Sequence, residues 1–246
     1  MKHCLNCGKP VHDLYCAHCG QQTLPERINF SFLCRETFHF FTHLDKGLLF
    51  TSFQMIIHPG STVKNFIDGK RKNYQSPISY FLFWTTVFVL FLLLIEKIFG
   101  MNRVIDYKGY FGPGSDTRLA ISNLGLVLMF VIPFQAFYLY LLVTKKRYNY
   151  FETMVGILYL LGTVILFQFV FAVLALIGYS VTQKPVNLQV SDSFKIIYLV
   201  WFIWDTVRLY PVNHKLIRAT GFFTLAFGTF TLWRLYGLPA SIHIFF

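Results

Sequence analysis

Three stretches of this chain run for the length of a long helix without one charged side chain. Ile78–Ile95, Leu119–Val143 and Thr153–Ser180 contain no Asp, Glu, Lys or Arg. A bilayer core about 30 Å thick takes roughly 20 apolar residues at about 1.5 Å each, and these runs meet or approach that length. Each central Leu, Ile, Phe or Val favours insertion by about 0.3–0.6 kcal/mol, so a dozen of them leaves a wide margin. The rest of the chain agrees. Only 13% of its 246 residues are charged, about half the usual share of a soluble domain. The pattern predicts a mainly α, polytopic helical membrane bundle.

Two further segments are weaker. Residues 194–210 have a clean apolar core only over Ile196–Trp204, before Asp205 and Arg208. Residues 216–238 are interrupted at Arg218 and Arg234. Both can span if Lys195, Arg218 and Arg234 extend their ends to the interfaces. The expected architecture is therefore about five spans, near 78–97, 119–143, 153–180, 194–210 and 216–238. Pro133 should kink the second, and the third has length enough to tilt.

Loop charge sets the expected orientation. Lys64, Lys70, Arg71 and Lys72 precede the first span, Lys145, Lys146 and Arg147 fill the second loop, and Arg208, Lys215 and Arg218 flank the fourth. The first loop offsets its basic residues with Asp106 and Asp116, and the third holds only Lys184 among Val181–Ser193. Basic loops alternate with poor ones, which places the N-terminus in the cytoplasm and the C-terminus outside; if the fourth segment only lies in the interface, the C-terminus is cytoplasmic. The net charge of +11 is read as this bias and not as a nucleic-acid footprint. Residues 1–25 carry no apolar signal core, so the first span is expected to direct insertion.

All five cysteines lie in the first 34 residues, which fits a metal site in a reducing compartment better than a disulfide framework. Cys4-Leu5-Asn6-Cys7-Gly8 and Cys16-Ala17-His18-Cys19-Gly20 are two copies of one C-x2-C-G knuckle. Cys4, Cys7, Cys16 and Cys19 predict a closed, structural Zn2+ site of the zinc-ribbon kind, a rubredoxin-type iron being the alternative. His3, His12 and His18 are possible substitutes as ligands. So small a unit has too little core to fold without its metal. Lys2, Lys9 and Arg27 face Asp13 and Glu26, and a Zn(Cys)4 centre adds two negative charges, so nucleic acid is not an expected partner. Cys34 reads as a small buried residue.

Between this head (1–27) and the bundle (78–246), residues 28–77 read as an amphipathic juxtamembrane segment. Phe30, Leu33, Phe41, Leu44 and Leu48 fall at helical spacing. Pro59-Gly60 interrupts the pattern, and Ser61 or Thr62 is a candidate cap for a short helix through Ile67. Lys70, Arg71 and Lys72 lie just before the first span. They read either as a topological anchor or as a site for an anionic lipid headgroup or phosphate, with Gly69 allowing close approach. Tyr74 and Tyr80 fit an aromatic belt.

The order Leu44-Asp45-Lys46-Gly47-Leu48, His58-Pro59-Gly60, Gly69-Lys70-Arg71 and Tyr74, then Pro77, following a double C-x2-C-G ribbon, resembles an uncharacterised family of bacterial membrane proteins common in Bacteroidetes. His58 stands where that pattern has Arg. The resemblance covers residues 4–80 and implies no activity. Five spans behind a cytosolic head also look similar, in topology alone, to the Yip-type superfamily of membrane adaptors.

Catalytic chemistry finds little material here. The charge-free runs of the first three spans hold no Asp, Glu, Lys, Arg or His, and Gln135 and Gln168 are explained by hydrogen bonds between helices. Asp205 and Arg208 can pair on one helix face, as an end-of-span ion pair or as part of a headgroup site. His39 and His43 share a helix face as a second metal candidate, and no nucleophile elbow, P-loop or carboxylate pair is present in the sequence. The expected function is a non-enzymatic scaffold or adaptor whose ribbon meets a protein partner at the cytoplasmic membrane surface, with lipid- or small-molecule handling as the alternative.

Overall fold

Apolar runs become helices here, and proline, glycine and asparagine set where they begin and end. The computed structural model describes residues 2–40, 47–100, 104–106, 124–144, 147–187, 189–209 and 215–232. Among these the chain is mainly helical, with α1 Phe30–Phe40, α2 Leu48–Ile57, α3 Pro59–Ile67, α4 Pro77–Phe99, α5 Leu124–Leu139, α6 Tyr150–Thr182, α7 Gln189–Arg208 and α8 Lys215–Leu232. Strands β1 Lys2–His3 and β2 Pro10–Val11 pair antiparallel in the N-terminal unit. Strands β3 Ile105–Asp106 and β4 Val186–Asn187 pair parallel and tie the segment after α4 to the segment after α6.

Pro77 opens α4 at a position where its missing N–H costs nothing, and Gly100 closes it at positive φ. α5 contains Pro133 and ends in a π turn, Tyr140–Thr144. α6 starts with a complete capping box: the Asn149 side chain accepts from the Glu152 N–H, and Glu152 accepts from the Asn149 N–H. The core follows α4, α6 and α7. Tyr80, Phe81, Tyr159 and Phe202 are fully buried. Gly162 permits the α4–α6 contact, because a Cβ there would come within 2.6 Å of the Tyr80 ring and 3.2 Å of Phe81 Cα.

Helix direction can be followed through paired residues. Tyr80 meets Tyr159 and Phe99 meets Tyr179, so α4 and α6 run parallel. Phe171 meets Phe194 and Phe167 meets Tyr198, so α7 returns antiparallel to α6. α5 ends beside the start of α6, where the Thr144 and Thr153 hydroxyls bond at 2.6 Å.

Two helices among the described residues are long and apolar enough to cross a membrane, α4 and α6. Of the five expected spans, residues 119–123, 210 and 233–238 lie outside the described residues. α7 is diluted by Asp192, Lys195, Asp205 and Arg208. Tyr159 donates to the Gln75 carbonyl just ahead of α4, so the part of α6 before Tyr159 projects past the start of α4 and packs beside α3.

The juxtamembrane segment is helical, and it differs from expectation at the start of its third helix. It forms α1, α2 and α3, and neither Ser61 nor Thr62 caps α3, which begins at Pro59. The α2–α3 pair is wedged against α6 and α7 while Leu49, Phe50, Phe53, Ile56 and Ile57 point outward. Cys34 is half-buried. His43 lies outside the described residues, as does the side chain of His39.

Candidate metal centre and its seat on the helices

Each knuckle closes on itself through the backbone. Gly8 N–H donates to Cys4 O at 2.9 Å and Cys4 N–H to Lys9 O at 2.8 Å. Gly20 N–H repeats this to Cys16 O, and Cys16 N–H to Gln21 O, both at 2.8 Å. The turns need Gly8 and Gly20 at φ +73° and +70°, where a side chain is strained. The β1–β2 ladder brackets the first knuckle and a Tyr15–Gln22 bridge brackets the second.

This folding converges four sulfurs. Cys4 Sγ lies 3.6 Å from Cys19 Sγ, Cys7 Sγ lies 3.6 Å from Cys16 Sγ, and all four sit within 4.8 Å of one another. A tetrahedral ion with bonds of about 2.3 Å has sulfur–sulfur edges of about 3.8 Å. The spacing thus suits a cation at the centre and is far from the roughly 2 Å of a disulfide. The N–H groups of Cys7 and Asn6 face the Cys4 sulfur and lower its pKa to about 7. Those of Cys19 and His18 lower Cys16 in the same way. The Lys9 N–H acts likewise on Cys7, but burial and the neighbouring thiols outweigh it and push that thiol up to about 11. Besides Cys4 and Cys16, the buried residues of this unit are Val11 and Gln21 among the described residues. Four Cys ligands fill a tetrahedron and leave no position for substrate or water.

The unit does not hang on a free linker. Gln21, buried immediately after the second knuckle, accepts the Arg71 and Lys72 N–H groups on Oε1 at 3.2 and 2.9 Å. Gly69, at φ +100°, lies where a Cβ would sit 2.7 Å from Pro25 and 2.9 Å from Leu5. The Lys72 ammonium lies against Gly20. That proximity sets a cation beside a knuckle that metal-loaded thiolates would make negative. Further along, Arg27 Nε donates to Glu152 at 3.0 Å, which raises the Arg27 pKa. The Asn149 amide donates to the Ile28 carbonyl at 3.0 Å. The cysteine unit is therefore fastened both to the Gly69–Lys72 turn and to the N-terminus of α6.

The basic and acidic site candidates fall into different settings. The Arg71 side chain lies between the rings of Phe32 and Phe66, at 4.8 and 5.4 Å from their centroids, and Nε donates to Phe66 O. Burial lowers its pKa. Lys70 and Lys72 are exposed. Asp205 is fully buried on α7. Its Oδ2 accepts the Gly60 N–H at 2.7 Å, and Arg208 Nη2 lies 2.6 Å from Oδ1 as an ion pair without hydrogen-bond alignment. Asp205 thus supplies from another helix the cap expected of Ser61 or Thr62, and its hydrogen bond and ion pair go to Gly60 and Arg208.

Sequence reasoning missed Gln21, Asn149 and Glu152. The Asn-x-x-Glu spacing before α6 was a legible capping signal; nothing in the sequence marks Gln21.

These features define a mainly helical protein with two helices able to cross a membrane and a four-cysteine cluster able to hold a metal ion. Residues 45–89 match the family model described as "Protein of unknown function (DUF3667)". No curated protein and no solved structure matches the chain. The matched stretch runs from Asp45 through α2 and α3 into α4. It holds three glycines at close backbone or ribbon contacts: Gly47 against Asn73–Gln75, Gly60 against Asp205, and Gly69 against Pro25 and Leu5.

Proposed function

We propose that this chain is a five-span bacterial inner-membrane protein, N-terminus cytoplasmic and C-terminus periplasmic, whose zinc ribbon is a fixed docking platform for a protein partner. Zinc is the ion favoured by four thiolates at tetrahedral spacing with no redox partner nearby. Support for membrane insertion comes from exposed apolar stripes at helical spacing: Leu90, Leu94 and Ile98 on α4, Val170, Leu174, Ile177 and Val181 on α6, and Ile197, Val200 and Trp204 on α7. A water-facing helix has the opposite pattern. The alternation of direction through α4, α5, α6 and α7 supports successive crossings.

The observation that carries the docking reading is the ribbon's own polarity. Gln21, Leu5 and Pro25 hold it to the helices, while Leu14, Tyr15 and Leu24 are 79%, 62% and 65% exposed. Large apolar side chains on a rigid base are what a partner's apolar surface recognises. A four-thiolate site leaves no open coordination position, which favours adaptor over enzyme.

The test is affinity capture from solubilised membranes using the wild type, a Leu14→Asp/Leu24→Asp variant and Cys16→Ser. Loss of the same co-purifying protein in both variants is expected. Unchanged recovery with the double Asp variant refutes the platform. A reporter at residue 2 that is active in the periplasm refutes the orientation.

A further inference from the structure

A cavity of about 310 Å³ opens where the ribbon linker, the end of α3 and the start of α6 meet. Its walls include Arg27, Asp68, Arg71, Arg147, Tyr148 and Glu152. That volume is at the low end for ligand sites and suits a small polar group.

The walls carry three guanidiniums and three carboxylates, but these are not paired one to one. Glu152 is paired with Arg27 and also accepts the Asn149 N–H. Asp68 is paired with Lys64 and accepts the Tyr148 hydroxyl at 3.0 Å. Glu26, also on the wall, is paired with Arg35. Each carboxylate therefore has its own cation. Two guanidiniums remain. Arg71 is held by Phe32 and Phe66, and Arg147 lies over the Tyr148 ring at 5.6 Å. Among the described residues neither forms an ion pair with a carboxylate. Glu26, Glu36 and Glu152 act on Arg71 only through the field. Nε of Arg71 is committed to Phe66 O, which leaves its terminal amino groups available in a setting where burial already disfavours its charge. A half-buried guanidinium fixed by stacking, with a second beside the same cavity, is the arrangement that recognises phosphate oxygens.

We infer that this cavity binds a phosphate group, with Arg71 and Arg147 as its cationic wall, the phosphate being carried by a lipid headgroup or free in solution. The three segments that form the site are the ribbon linker, the turn that the ribbon holds, and the foot of α6. Occupancy would bridge the ribbon to the helices. The site does not depend on the ribbon having a protein partner.

The experiment uses the full chain purified in a non-ionic detergent, with its metal retained. Inorganic phosphate and short-chain phosphatidic acid are titrated separately by calorimetry, with short-chain phosphatidylcholine as the zwitterionic comparison. Wild type should bind at least one of the first two more tightly than phosphatidylcholine. Arg147→Gln, an exposed position, should weaken that binding at least tenfold while melting as the wild type does without ligand. Lys184→Gln, an exposed cation elsewhere, should leave it unchanged. Binding of phosphatidic acid alone assigns a lipid source, and binding of inorganic phosphate assigns a free one. Absence of binding to both probes, or Arg147→Gln binding as tightly as wild type, overturns the site. So does equal weakening by Lys184→Gln, which would mark a general charge effect.

Discussion

Replacing Gly60 by alanine tests the packing of α3 on α7 more directly than any other single substitution. A Cβ at that position would lie 2.5 Å from Asp205 O, 2.6 Å from Asp205 C and 2.8 Å from Thr206 N. Those atoms are backbone of α7 and cannot rotate away. Relief to the 3.4 Å of an ordinary contact requires the two helices to part by close to 1 Å. The same movement stretches the 2.7 Å hydrogen bond from Gly60 N–H to the buried Asp205 carboxylate. Overpacking of this kind costs about 1–3 kcal/mol, and weakening a buried hydrogen bond to a charge costs about 1.5–3 kcal/mol. The two share one displacement, so they do not simply add. A loss of about 3 kcal/mol is expected, which lowers the melting temperature by roughly 6–12 °C at 2–4 °C per kcal/mol. Tryptophan fluorescence during heating in detergent reads it, since Trp204 sits beside Asp205 in α7. Gly228→Ala is the control, because a Cβ there meets nothing within 4 Å and alanine should stabilise that helix by about 0.5–1 kcal/mol. If Gly60→Ala melts with the wild type, the α3–α7 contact and the capping role of Asp205 are both wrong.

Two further outcomes follow from the seat of the ribbon. Removing the metal with a strong chelator should unfold residues 2–24 and free the Arg71 and Lys72 N–H groups from Gln21. Two hydrogen bonds of about 1 kcal/mol each correspond to a roughly 30-fold rise in tryptic cleavage at Lys70–Lys72, followed by mass spectrometry; an unchanged rate would separate the ribbon from the turn. Asn149→Ala removes the α6 cap and the bond to Ile28 O, and should cost about 1–2 kcal/mol in thermal unfolding. A cost near zero would show that the capping box does not hold the foot of α6.

Much of this protein is decided locally, and local features are what a sequence displays. The spacing Cys4, Cys7, Cys16, Cys19 with glycine after each pair dictates two identical knuckles, because the hydrogen bonds that form them join residues four or five apart. The charge-free runs around 78–95 and 153–180 dictate long helices for the same reason: every backbone group in a run is satisfied within the run. Asn149 and Glu152 announce the start of α6 within four residues. What the sequence could not decide was which surfaces meet. Gly60 and Asp205 are 145 positions apart, Arg27 and Glu152 are 125, and Gln21 and Lys72 are 51. No periodicity links them. Lys70, Arg71 and Lys72 read as one basic cluster along the chain, yet folding separates them, stacking Arg71 between two aromatic rings and leaving its neighbours in the open. The chain alone specified a cysteine centre and helices fit for a membrane. Only the folded molecule fixed that centre onto the foot of α6 and set Arg147 beside Arg71, because those contacts join surfaces whose approach depends on how every intervening helix packs.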